Sequence, residues 1–191
     1  MSLKDHFISL DKQSQLITGC VAGDRSCQSA LYALYSPRMM VVCMRYAKNK
    51  EEAEEILQDG FMKVFKFISQ FKGHGSFEGW VRKIMLNCAL QKLKSQCNMW
   101  PVVSLDINEQ NHADSEQIFS TINDKELLGL IQNLTPAYRM VFNLYIFEGL
   151  KHREIAGLLN ISEGTSKSNL SDARNVLQKA IYKNMRIAKQ Q

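Results

Sequence analysis

The feature that most limits what this chain can fold into lies between Glu51 and Ser95. Apolar residues recur there at steps of three and four. Ala53, Leu57, Phe61, Val64, Phe65 and Ile68 form one stripe, and Phe77, Trp80, Val81, Ile84, Met85 and Cys88 form a second. That rhythm puts each set on one side of a helix, which must then be buried. The two predicted helices are joined by Phe71-Lys72-Gly73-His74-Gly75-Ser76-Phe77. Their leftover faces differ in charge. Glu51, Glu52, Glu54, Glu55 and Asp59, with Gln58 among them, make the first helix start acidic. Lys83, Asn87, Gln91 and Lys94 make the polar side of the second helix basic and amide-rich. The first face suits a protein partner and the second suits DNA.

The rest of the chain reads as helices too, without convincing strands or repeats. Residues 4–22 are predicted helical, and Val21-Ala22-Gly23-Asp24 ends that helix. Asp24 is placed to cap the next one, because its carboxylate can accept an N–H left free in the first turn. That helix is expected to reach about Tyr35, with Ser36-Pro37 as a boundary or restart before a helix over 38–48. Residues 97–124 turn polar and acidic after Asn98-Met99-Trp100-Pro101, as in an extended connector. Fully extended, such a segment reaches about 90 Å, more than two DNA turns of roughly 34 Å each. Residues 125–188 return to helix. Leu127, Leu128, Leu130, Ile131 and Leu134 line one helix. Thr135-Pro136 starts another, carrying Tyr138, Met140, Val141, Leu144 and Tyr145 and ending at Phe147-Glu148-Gly149.

The net charge of +5 is unevenly spread. Residues 1–96 hold 14 basic and 9 acidic side chains, residues 97–124 hold 5 acidic and none basic, and residues 125–191 hold 10 basic and 5 acidic. Two basic blocks flanking an acidic connector point to a polyanion partner. The longest apolar run, Met39 to Met44, is far too short to span a bilayer, so no membrane insertion is expected. No signal-peptide pattern opens the chain, and the expected compartment is the cytoplasm. The cysteines at 20, 27, 43, 88 and 97 are odd in number and lack Cys-x-x-Cys spacing, which argues against both a metal site and a structural disulfide. No carboxylate pair, nucleophile cluster or phosphate loop supports chemistry, so neither an enzyme nor a cofactor is expected.

The sharpest local signal runs from Lys151 to Thr165. Ile155, Ala156 and Leu159 form the inner face of a short helix. Asn160 can take the left-handed conformation that ends it. Ile161 plugs the corner, and Ser162 caps a new helix from Glu163 to about Ile187. This is a helix-turn-helix, whose second helix enters the major groove. Leu170, Ala173, Val176, Leu177, Ala180 and Ile181 are expected inward on that helix. Glu163, Thr165, Lys167, Ser168, Ser171 and Arg174 are left outward, where such side chains meet phosphates and base edges.

Together these stretches resemble a bacterial RNA polymerase sigma factor of the extracytoplasmic-function type. Ala53-Glu54-Glu55-Ile56-Leu57-Gln58-Asp59-Gly60-Phe61 is similar to the family's Ala-Glu-Asp-Leu-Val-Gln-Glu-x-Phe. Phe71-Lys72-Gly73 with Phe77-Glu78-Gly79-Trp80-Val81-Arg82-Lys83-Ile84 is similar to its Phe-x-Trp-Leu-x-x-Ile run. Glu154-Ile155-Ala156 through Thr165, with Lys167-Ser168, matches its C-terminal helix-turn-helix. The resemblance implies an all-α fold of two small helical domains, residues 1–96 and 125–191, joined by the linker 97–124. It implies that Glu55, Gln58, Asp59 and Phe61 bind the β′ clamp helices of core RNA polymerase, with the β flap as a further polymerase contact. It implies that Lys72, Gly73, His74, Gly75 and Ser76 capture a flipped base of the minus-ten element, while Arg82, Lys83 and Asn87 hold the opened strands. It implies that Ser162, Thr165, Lys167, Ser168, Asn169, Ser171 and Arg174 read the minus-thirty-five element of promoter DNA. A separate anti-sigma factor is the implied inhibitor.

The helical spacing of Trp80 with Phe77 and Ile84 instead marks a core role for that ring. The chain also departs from the family pattern. Ser166 stands where the family has valine, which is expected to weaken packing at the corner. Asn169 and Asp172 stand where arginine is usual, which reduces attraction to phosphate. Two rival readings follow. One is a helix-turn-helix regulator acting without polymerase. The other is a degenerate sigma-like protein that binds polymerase or an inhibitor but does not read promoters.

Overall fold

A computed structural model describes residues 3–96 and 124–188. Among these residues the chain forms eight α-helices and no strand. In order they are α1 (Leu3–Val21), α2 (Arg25–Tyr46), α3 (Lys50–Phe67), α4 (Phe77–Gln96), α5 (Asp124–Gln132), α6 (Pro136–Ile146), α7 (His152–Leu159) and α8 (Glu163–Ala188). A single 3-10 turn, Ile68–Gln70, follows α3. Apart from Asp124, the acidic connector lies outside the described residues, as does Cys97.

The helix starts follow local side-chain chemistry. Asp24 accepts the Ser26 amide at 2.7 Å, and Asn49 accepts the Glu52 amide at 2.9 Å. Each such bond satisfies a donor that the first helical turn leaves free. Thr135 occupies the cap position of α6 but makes no side-chain cap bond, so Pro136, with its fixed φ, sets that start instead.

The boundary expected at Ser36-Pro37 is not there. α2 runs unbroken through Pro37. Leu31, Tyr35, Met39, Val42 and Tyr46 are all buried along one side of it. A proline inside a helix costs about 3 kcal/mol. Burying one large apolar side chain contributes about 1.5–3 kcal/mol, and this stripe continues on both sides of the proline.

Helices α1–α4 pack as one set and α5–α8 as another, and the sets also pack on each other where α2 meets α5 and α6 and where α4 meets α6. One apolar core runs through both sets. The junction is polar at its centre. Gln132, Asn143 and Arg139 donate to the carbonyls of Met44, Arg45 and Tyr46 at 3.0, 2.8 and 3.1 Å. These are last-turn carbonyls of α2, which lack partners within their own helix. The Arg139 cation also sits at the negative end of that helix. The described residues thus form two helix sets that pack on each other in a closed body.

Candidate nucleic-acid interface

Four surfaces carry the residues singled out by the sequence. The first is the outer face of α3, where Glu55, Gln58 and Asp59 are exposed. Glu55 reaches across to Lys92 of α4 at 2.6 Å. Phe61 does not share this face. It is only 3% exposed, and its ring lies 4.6 Å from Tyr32 and 6.0 Å from Phe65. Phe61 is a core residue here, because its position falls on the buried stripe of Ala53, Leu57 and Val64. The apolar side chain that does share the acidic face is Met62, 71% exposed. Sequence reasoning passed over it, although it is an apolar residue lying off the stripe.

The second surface is the loop ahead of α4. Lys72, Gly73, His74, Gly75 and Ser76 are all exposed. Gly73 and Gly75 have φ of 74° and 75°, the left-handed region that a side chain disfavours. Ser76 accepts the Gly79 amide at 3.0 Å and so caps α4. Beneath the loop, Trp80 packs with Phe71 and Phe77, at centroid distances of 5.8 and 5.6 Å. Its expected core role holds, since the ring is half-buried in that aromatic cluster.

The third surface, the polar side of α4, is covered where the sequence suggests an open basic face. Arg82 is ion-paired with Glu148 at 2.7 Å, and the two side chains are 19% and 7% exposed. Lys94 is 2% exposed and donates to the Leu158 carbonyl at 2.8 Å. Burial pulls its ammonium below the usual lysine pKa. Lys83 and Asn87 are half-buried, while Gln91 is exposed and accepts from Lys63 at 3.0 Å. The covering groups come from the end of α6 and from α7. The roles of Glu148 and Leu158 depend on tertiary packing alone, and no local sequence signal marks them.

The fourth surface is the helix-turn-helix, whose corner is built as the sequence predicts. Asn160 adopts φ 52° and ψ 49°. Ser162 accepts the Thr165 amide at 2.9 Å, capping α8. Thr165, Lys167, Ser168, Ser171 and Arg174 are exposed along one side, and Asn169 is half-buried. Lys167 pairs with Glu163 at 3.1 Å. The Arg174 guanidinium lies 5.7 Å from the Tyr145 ring centre. Val176, expected inward, is 45% exposed, because the buried stripe runs through Leu170, Ala173 and Leu177 and leaves it on the flank.

Ser166 lies inside the corner. It is fully buried, and its hydroxyl lies 3.0 Å from His152 Nδ1, whose ring stacks on Tyr145 at 4.8 Å. The missing valine is replaced by a hydrogen-bonded pair inside the corner. Asp172 accepts a hydrogen bond from the Tyr138 hydroxyl at 3.3 Å, which turns its charge toward α6. Among the described residues, no group of side chains is arranged to hold a metal, and no helix is long and apolar enough to cross a membrane.

Comparison with known proteins adds to this geometry. Residues 31–97 match the family described as Sigma-70 region 2, and residues 124–177 match Sigma-70, region 4. The chain is 23% identical over 192 residues to the RNA polymerase sigma-H factor of Pseudomonas aeruginosa, covering 95% of this chain and 100% of that one. It is 25% identical over 166 residues to the ECF RNA polymerase sigma-E factor of Escherichia coli K12, covering 81% and 86%. A solved complex of the sigma factor RpoE with the anti-sigma factor NepR, from Bartonella quintana, aligns at a TM-score of 0.47 and 18% identity, over 81% of this chain and 96% of that one.

Proposed function

From the premise that this chain belongs to the sigma-70 family and to its extracytoplasmic-function group, we propose how its parts divide the work of promoter selection. The α3 face of Glu55, Gln58 and Asp59, extended by Met62, docks on core RNA polymerase at the β′ clamp helices. The loop Lys72–Ser76 takes a flipped base of the minus-ten element, and Arg82, Lys83 and Asn87 hold the opened strands. The recognition helix α8 docks on duplex DNA at the minus-thirty-five element through Thr165, Lys167, Ser168, Ser171 and Arg174, with Asn169 at its edge and Ser162 capping its start. The family's function requires no catalytic group of its own. An anti-sigma protein is the expected inhibitor.

One observation carries this reading. Both sigma regions occur in family order, and each exposes the element that its role needs: a glycine-bent loop ahead of α4 in one, and a capped recognition helix in the other. The region 2 match weighs against a regulator that acts without polymerase. The bonded Ser166 corner weighs against degeneracy, since the recognition helix stays anchored without the family's valine.

Transcription from genomic fragments with reconstituted core polymerase tests the proposal. Wild-type chain is expected to direct initiation at a subset of fragments. Asp59→Ala is expected to weaken co-purification with polymerase without lowering thermal stability, because the residue is exposed. Loss of complex and loss of stability in parallel, or no selective initiation by wild type, would refute it.

A further inference from the structure

The corner of the helix-turn-helix holds a chain of contacts that ends on a DNA-facing cation. The Ser166 hydroxyl, fully buried in α8, lies 3.0 Å from Nδ1 of His152, the first residue of α7. The imidazole stacks on the Tyr145 ring of α6 at 4.8 Å, with 26° between the planes. The Arg174 guanidinium, about two turns further along α8, lies 5.7 Å from the centre of the same ring. Among the described residues no carboxylate pairs with Arg174: Glu163 is taken by Lys167, and Asp172 accepts from Tyr138. The ring is thus what fixes this arginine. An aromatic face attracts a cation without engaging its N–H groups, which stay free for a phosphate. The family's valine in place of Ser166 would give the imidazole no bond.

Position along the helix decides which part of the DNA Arg174 meets. It lies eleven residues beyond Glu163, where α8 begins, or about 16 Å along the axis. A recognition helix reads bases with its early residues, and the major groove is only about 12 Å wide. Arg174 therefore falls at the phosphate backbone, past the base edges. Asn169 and Asp172 stand where arginine is usual, so attraction to the backbone on this side of α8 rests more heavily on Arg174. We propose that Tyr145 and His152, both outside the recognition helix, are positioning residues that hold Arg174 ready for a backbone phosphate, with Ser166 locking the histidine. This rests on the proposed docking of α8 on duplex DNA. An arginine placed in advance gives up less rotamer freedom on binding than a free one.

The test uses core polymerase carrying the full chain. The probe is a fluorescent duplex, cut upstream of the melted segment, from a genomic fragment at which the wild-type chain initiates. Binding is read by anisotropy with competitor DNA over a range of salt. Arg174→Gln is expected to weaken binding at least about tenfold, as loss of a charged hydrogen bond does. It should also lower the slope of log affinity against log salt by about 0.9. Tyr145→Leu should weaken binding about two- to fivefold, and His152→Leu should act in the same direction. Tyr145→Phe keeps the ring and should bind as wild type does. The double variant decides the matter. In an Arg174→Gln background, Tyr145→Leu should cost nothing further. A ring that merely stabilised the fold would weaken binding by the same factor in both backgrounds, and that result overturns the inference. So does a Tyr145→Phe variant as weak as Tyr145→Leu, or wild-type binding by either Arg174→Gln or Tyr145→Leu. In each of these cases, duplex binding by the wild-type complex that is tighter than by core polymerase alone keeps the α8 reading. If no fragment is selected, or the chain adds nothing to duplex binding, the α8 reading falls and the inference with it.

Discussion

Gly60→Ala sets two effects of known size against each other. Inside an α-helix, replacing glycine by alanine contributes about 1 kcal/mol through backbone entropy. At an open position the variant would therefore be more stable. Gly60 is not open. A Cβ built there lies 2.1 Å from Met85 Sδ and 2.8 Å from Met85 Cε, where α3 crosses α4. The clash falls on the outer end of the Met85 side chain, and because Met85 is fully buried that end has little room to move aside. Overpacking of this kind costs about 1–3 kcal/mol. The clash should win, giving a net loss of up to about 2 kcal/mol and a fall in Tm of up to roughly 8 °C. Urea unfolding measures the loss, with an unchanged slope against denaturant showing that only stability moved. The decisive comparison is the same substitution in a Met85→Ala background. There the obstruction is gone, and Gly60→Ala should stabilise by about 1 kcal/mol, reversing the sign. Equal destabilisation in both backgrounds, or stabilisation in the wild-type chain, would refute the reasoning.

Phe61→Ala should cost about 3–5 kcal/mol of stability by urea unfolding, as a deleted core ring does; a smaller loss with a large fall in polymerase binding would instead make Phe61 a contact. Ser166→Ala should cost about 1 kcal/mol of thermal stability, because the bond to His152 is lost while the half-buried imidazole can turn to water; an unchanged Tm would show that the bond contributes nothing. Burial raises the Cys43 thiol pKa from 9.0 to about 12. Below pH 9 the thiol is neutral in both states, but above it the unfolded chain loses a proton that the folded chain keeps. Stability should therefore fall by about 1.4 kcal/mol per pH unit from this group between pH 9 and about 12. Cys43→Val should flatten that part of the pH profile, and identical alkaline profiles would count against the assignment.

What was legible in the sequence was what a few neighbouring residues decide. Asn160, Ile161 and Ser162 specify the corner because a left-handed turn, a plug and a cap all act within four residues. The stripes of α3 and α4 were legible because a helix fixes which side chains share a face. Periodicity does not say what lies over a face. Lys94 sits at the same helical spacing as Lys83 and Asn87, yet it is buried because a carbonyl 64 positions later covers it. The partner of Arg82 is 66 positions away. Pro37 misled for a related reason, since local preference for a break lost to a buried stripe on both sides. Phe61 shows the converse. Its spacing with Ala53, Leu57 and Val64 already placed it inside, while the likeness to a family motif placed it at an interface.

The same contrast bears on how the proposed roles fit together. Surfaces specified locally, namely the α3 face, the glycine-bent loop and the side of α8, are exposed and ready in the closed body. The one surface withheld, along α4, is withheld by contacts that only tertiary packing creates. Those contacts are polar and partly unsatisfied, with Arg82 Nε left unpaired. An apolar seal of similar area would have no such deficit for a competing ligand to exploit.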